Sequence, residues 1–247
     1  FKEIEGKIKN DAIIATNTSS LKLSEISSQM KYPNKLIGLH FFSPVSHMPL
    51  VEVVKYEKTK DDDIAKGAIF VTSIEKFPLV TKDVSGFLVN KVLGPYMFSA
   101  ISKVEEGESK DFIDHSVRSF GMPMGPIELA DSVGLDVCLH VAKTFGHASN
   151  GTILNQLVEQ GKLGKKTGEG FYTWINNRAQ KIKIEKTKFE LEKFGRELIE
   201  PLLRESKVAL SENVVANEDL VDAGMIFGTG FPPFRGGPLH FMKYENK

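Results

Sequence analysis

Four polar residues stand out within or beside apolar stretches and carry side chains that acid–base chemistry could use: Ser19, His40, Glu52 and Asn90. His40 closes the apolar run from Leu36 to Leu39 and precedes Phe41 and Phe42, surroundings that disfavour a charged imidazole unless a carboxylate compensates it. Glu52, in the next apolar run, offers one. A His–Glu pair across neighbouring strands would fix the imidazole tautomer and raise its basicity, giving a base suited to removing a proton near neutral pH. Spacing alone does not establish the pair, and the default for a histidine among aromatics is a satisfied core residue. Ser19 lies in Asn17-Thr18-Ser19-Ser20, where its hydroxyl caps a helix or touches a ligand. Asn90 sits one turn into an expected helix, which asparagine weakens; it faces solvent or donates into a cleft.

Other chemistries find less support. Cys138 stands in Val137-Cys138-Leu139, the setting of an inert buried thiol. No HExxH, CxxC or carboxylate cluster points to a metal. The stretch Gly164-Lys165-Lys166-Thr167-Gly168-Glu169-Gly170 lacks the earlier glycine of a P-loop. Gly228-Thr229-Gly230 is followed by Phe231-Pro232-Pro233, so the GxGxxG dinucleotide fingerprint is absent.

The elements that must position these residues alternate. The short β-branched run Ala12–Thr16 reads as a buried strand emptying into the Asn17–Ser20 loop, and ligands gather at such strand ends in parallel sheets. The pattern predicts a helix over Leu21–Met30, strands over Leu36–Phe42 and Leu50–Lys55, a helix over Asp61–Lys76 opened by acidic residues, and a strand over Phe77–Thr81. Such alternation predicts an α/β domain over residues 1–82. Phe1–Lys9 reads as amphipathic helix, so the chain is expected to begin inside a domain. From residue 83 the pattern turns all-α, with helices expected over Phe87–Glu106, Lys110–Phe120, Pro126–Gly146 and Ile153–Gly161. An extended aromatic stretch, Phe171–Trp174, and a Lys-rich linker, Asn176–Lys188, precede a last helical segment.

That last segment resembles a second copy of the first helical one. Pro95, Asp114 and Phe120-Gly121 with Gly125-Pro126 find counterparts in Pro201, Asp222 and Phe227-Gly228 with Gly237-Pro238, in the same order. A duplicated helical unit explains the shared order better than chance reuse of Gly-Pro turns. Residues 83–186 are thus expected to form one helical domain and 187–247 a second, partial copy.

Composition bounds the function. The 247 residues carry 32 Lys+Arg against 32 Asp+Glu, with 41% apolar residues and one cysteine. Zero net charge removes the basic footprint of a general nucleic-acid binder. No apolar run approaches the roughly 20 residues of a membrane span. A lone cysteine fits a reducing compartment and excludes an internal disulfide.

Taken together, Asn17-Thr18-Ser19-Ser20-Leu21, Gly38-Leu39-His40-Phe41-Phe42-Ser43-Pro44, Met48-Pro49-Leu50-Val51-Glu52 and Gly86-Phe87-Leu88-Val89-Asn90 resemble the 3-hydroxyacyl-CoA dehydrogenases. Pro123-Met124-Gly125-Pro126, Asp131, Gly134-Leu135-Asp136 and the Gly164–Tyr172 stretch continue the likeness over almost the whole chain. With its second helical copy the sequence is similar to the dehydrogenase portion of multifunctional fatty acid β-oxidation enzymes. The resemblance implies a truncated Rossmann-type NAD-binding domain followed by two related helical domains. It also implies NAD-dependent oxidation of a (3S)-3-hydroxyacyl-CoA to a 3-ketoacyl-CoA. On that reading His40 takes the hydroxyl proton, Glu52 orients it, and Ser19 and Asn90 hold the substrate oxygen. Ser19, Ser43 and Lys166 approach the cofactor, Ser43 standing where many relatives have an Asn. Acyl-CoA is the implied substrate, and a second copy or β-oxidation complex subunits the implied partners. The family's opening strand, glycine-rich turn and acidic ribose-binding residue have no match here, so an impaired fragment with weak NAD affinity is expected. The alternative is a non-catalytic helical assembly module of a multifunctional complex.

Overall fold

The computed structural model describes residues 1–9, 11–19, 21–144, 146 and 151–245. The chain divides into two compact units, residues 1–91 with 206–247, and residues 92–205.

The first unit is built on α1 (Lys2–Glu5), β1 (Ile14–Thr16), α2 (Leu23–Ser27), β2 (Leu36–Phe41), β3 (Leu50–Lys55), α3 (Asp61–Ser73) and β4 (Phe77–Lys82). The strands form one sheet in the order β1-β2-β3-β4. β1 pairs parallel with β2, and β3 with β4, but β2 and β3 are antiparallel. Chain length explains the reversal. The loop between Phe41 and Leu50 is too short for a parallel crossover, which takes a dozen residues or more, whereas α3 supplies one between β3 and β4.

Alternation sorts side chains onto two faces. Ile37, Leu39, Val51 and Val53 pack against Ile64 and Val71 of α3. Ile14, Leu36 and Val54 pack with Leu23, Met30, Tyr56 and Phe87 on the other. His40 and Glu52 share the parity of Leu36 and Val54, and therefore this second face. Gly38 lies between them because a Cβ there would come within 2.6 Å of Val54 Cβ. The expected helices are shorter at both ends of this unit's front: Phe1–Lys9 contracts to α1 and Leu21–Met30 to α2.

The carboxy-terminal part of the unit adds α10 (Glu218–Thr229) and α11 (Pro238–Tyr244), which follow α9 (Lys188–Ser211). α10 crosses the sheet on two glycines one turn apart. A Cβ on Gly224 would press on Leu79 and Leu88, and one on Gly228 on Leu50 and Val89. Phe227 beside them stacks on Phe77 at 4.8 Å.

The second unit holds most of α4 (Val89–Glu105), then α5 (Lys110–Phe120), α6 (Pro126–Val133), α7 (Leu135–Thr144) and α8 (Ile153–Glu159), and a two-stranded ribbon of β5 (Trp174–Ile175) and β6 (Arg178–Ala179). The single helix expected over Pro126–Gly146 is two, because Gly134 at φ +108° breaks the ladder between α6 and α7. The linker read in Asn176–Lys188 begins as β6 and then enters α9 through a capping box: Glu190 N–H donates to Thr187 Oγ1 at 3.2 Å and Thr187 N–H to Glu190 Oε2 at 2.9 Å.

One device recurs in both units. A carboxylate distant in sequence accepts the N–H groups of two consecutive residues: Glu5 from Lys31 and Tyr32, Asp83 from Leu23 and Ser24, Asp114 from Ile127 and Glu128, Asp222 from Leu239 and His240. Each pins a turn or helix start whose donors have no intrahelical partner.

Candidate active site

Strand register creates the central pair. His40 and Glu52 stand directly opposite in the β2–β3 ladder, and Glu52 Oε2 lies 2.6 Å from His40 Nδ1. Both are buried, at 5% and 0% exposure. Such a buried carboxylate needs further partners, and it has them. Its second oxygen, Oε1, accepts the N–H groups of Leu88 at 2.9 Å and Val89 at 3.0 Å. Val89 is the first residue of α4, where free N–H groups and the helix dipole favour negative charge.

With two backbone donors on Oε1, Glu52 has Oε2 left to accept from His40 Nδ1. The imidazole proton then sits on Nδ1 and the Nε2 lone pair is open. The ring is flanked by Phe42, centroids 4.6 Å apart, and Phe87 at 5.5 Å. Chemically this is a histidine with a fixed tautomer, able to take a proton at one nitrogen.

Ser19, His40, Ser43, Glu52 and Asn90 all belong to the first compact unit. Ser19 and Ser43 are exposed hydroxyls just beyond the carboxyl ends of the adjacent parallel strands β1 and β2. Hydroxyls at such strand ends can donate to or accept from a bound polar group, as a nicotinamide carboxamide offers. Asn90 follows directly on the two residues whose amides bind Glu52, and is half-buried. Lys166 lies in the other unit, where Nζ is 2.6 and 2.7 Å from the two carboxylate oxygens of Asp136. It is engaged with an acid rather than free. Among the described residues no group of three or more His, Cys, Asp or Glu could hold a metal ion, and no helix is long and apolar enough to cross a membrane.

Two contributors escaped the sequence reading. Asn17 Oδ1 accepts the Phe41 N–H at 2.9 Å, tying the Ser19 loop to the residue after His40. The backbone amides of Leu88 and Val89 are the other. An Asn directly after a strand is a recognisable turn former, but nothing local says which strand it will hold.

Residues 1–84 match the family model described as 3-hydroxyacyl-CoA dehydrogenase, NAD binding domain, and residues 86–174 the model of its C-terminal domain. The fatty acid oxidation complex subunit alpha of Vibrio cholerae serotype O1 is 37% identical over 256 residues, covering 97% of this chain and 36% of that protein. The subunit of the same name from Shewanella amazonensis is 35% identical over 257 residues, covering 98% and 36%. The chain thus spans about a third of the length of these relatives. Among solved structures, Mycobacterium tuberculosis FadB2 aligns at TM-score 0.67 with 38% identity, over 70% of this chain and 65% of that one. The dehydrogenase part of multifunctional enzyme 1 from C. elegans aligns at 0.60 with 29% identity, over 95% and 58%. The 3-hydroxybutyryl-CoA dehydrogenase of Escherichia coli K12 aligns at 0.83 over 98% and 70%, a likeness of fold at 24% identity. With both domain models matched in order over more than half its length, and the Rossmann-type sheet followed by helices, the chain belongs to the 3-hydroxyacyl-CoA dehydrogenase family.

Proposed function

We propose that this chain carries the dehydrogenase site that oxidises (3S)-3-hydroxyacyl-CoA to 3-ketoacyl-CoA in fatty acid β-oxidation. The observation that carries the reading is the His40–Glu52 pair, buried, in register and 2.6 Å apart. When bound, NAD supplies the acceptor for the hydride released from C3. His40 Nε2 accepts the hydroxyl proton as the O–H bond breaks and the carbonyl forms, and Glu52 stabilises the resulting imidazolium. Ser19 and Asn90 hold the substrate oxygen, each by a side-chain donor. Ser19 and Ser43 orient the nicotinamide, and Lys166 approaches the cofactor only by leaving Asp136. Replacing His40 with Gln is expected to lower kcat by at least about 10²-fold, the usual cost of a lost general base, with acetoacetyl-CoA and NADH as the assay pair. An unchanged kcat rejects the role.

The same reading takes residues 83–186 and 187–247 as related helical copies and acyl-CoA as substrate. The relatives named as subunits of a fatty acid oxidation complex support complex partners for this chain as well. Lacking a glycine-rich turn for the pyrophosphate, the 247 residues alone are expected to bind NADH weakly; micromolar affinity in a fluorescence titration contradicts this.

A further inference from the structure

Gly86 and Phe87 both adopt left-handed backbone, at φ +76° and +51°. For glycine this costs nothing. For a phenylalanine it is unfavourable, and such residues persist only where their surroundings hold them. Phe87 is 1% exposed and its ring packs at 5.5 Å from the His40 ring. The consecutive left-handed residues turn the chain so that the next two N–H groups, of Leu88 and Val89, both meet Glu52 Oε1. The side chains of those same two residues are seated against Gly224 and Gly228 of α10, where no Cβ would fit. The turn is therefore held at its amides by Glu52 and at its side chains by α10, with the Phe87 ring on the imidazole.

We propose that Phe87 is a positioning residue for the proton transfer: its ring limits the tilt of His40 while its backbone delivers the donors that fix Glu52. One residue thereby sets both members of the pair. This rests on the dehydrogenase reading above only for its effect on turnover.

The test is Phe87→Met in the full-length protein, which removes the ring at similar volume, beside Phe87→Tyr, which keeps it. Two readouts are taken: the His40 tautomer by NMR of ¹⁵N-labelled histidine without ligand, and kcat with acetoacetyl-CoA and NADH. Wild type and Phe87→Tyr are expected to show one tautomer with the proton on Nδ1. Phe87→Met is expected to show averaged tautomers and a kcat lower by about 10²-fold, the scale of a misplaced catalytic group. A folded Phe87→Met with the wild-type histidine spectrum overturns the proposal. So does a folded Phe87→Tyr with averaged tautomers, and that variant decides the matter if Phe87→Met does not fold. A wild-type protein with no turnover would instead sink the dehydrogenase reading, leaving the ligand-free spectrum to judge Phe87.

Discussion

Asp114 and Asp222, 108 residues apart, hold equivalent stations: each accepts two successive backbone N–H groups at the start of a helix that opens Gly-Pro. In both places the glycine has no room for a Cβ, which would lie 2.2 Å from Asp114 Oδ1 at Gly125 and 2.3 Å from Asp222 Cβ at Gly237. The stations differ in load. Asp114 Oδ2 also receives the Tyr172 hydroxyl and Lys181 Nζ, both at 3.0 Å. Asp222→Ala is expected to cost about 2 kcal/mol, the scale of charged hydrogen bonds at a helix start. Asp114→Ala is expected to cost more, since it also strands the buried Tyr172 hydroxyl and leaves Lys181 with Glu128 as its carboxylate partner. Urea denaturation of both variants checks the order, and a smaller loss at Asp114 contradicts it.

Glu52→Gln tests the tautomer. The glutamine oxygen can still take the amides of Leu88 and Val89, which places its NH₂ group against His40 Nδ1. That nitrogen must then accept, and the ring proton moves to Nε2, the atom needed as a base. Turnover is expected to fall by roughly 10²–10⁴-fold while the urea midpoint changes little. A fall in both together would make Glu52 a structural anchor alone.

How far the sequence reveals this arrangement follows from which forces are local. β2 and β3 are legible because their short apolar runs are buried on both faces. His40 and Glu52 stand out because an imidazole and a carboxylate in such runs demand partners. What pairs them is register, which the short antiparallel connection sets and periodicity alone does not. The break at Gly134 is hidden because its neighbours on either side keep helical spacing. Asn17, Leu88 and Val89 are hidden for a different reason: their roles lie in main-chain bonds to residues 24 to 37 positions away. Asp114 and Asp222 show in sequence as members of a repeated pattern, but not as caps. Lys166 is legible as a basic residue in a glycine-rich loop, while its pairing with Asp136 depends on how that loop meets α7.

Cys138 should be chemically silent. The half-buried thiol has Sγ 3.7 Å from the Ala130 carbonyl. Burial, aided by the charges of Asp131 and Asp136, pushes it up to about 12. Raising a thiol's pKa lowers its thiolate fraction at every lower pH, here to about 10⁻⁴ at pH 8. Alkylation of the folded protein by iodoacetamide at pH 8 is expected to be roughly 10³-fold slower than in urea, and to accelerate as pH rises toward the raised value. Fast labelling of the folded protein at pH 8 contradicts this.

The single tryptophan offers a direct report on the second unit. Asp131 is buried, and burial raises its carboxyl above the usual range despite three donors. Oδ1 accepts from Phe171 N–H at 2.8 Å, and Oδ2 from Tyr172 N–H at 2.8 Å and Trp174 Nε1 at 2.9 Å. The aromatic stretch is thus hung on one side chain of α6, and Gly170 lets it approach, since a Cβ there would lie 2.2 Å from Asp131 Oδ1. Asp131→Ala leaves three donors to find water, at a cost of about 3 kcal/mol or more. It is expected to release the indole and shift Trp174 emission to longer wavelength. Asp131→Asn, with one acceptor oxygen, should fall between the two. An unchanged emission maximum in Asp131→Ala would mean that the stretch is held by its apolar rings, Phe171 and Tyr172, and not by the carboxylate.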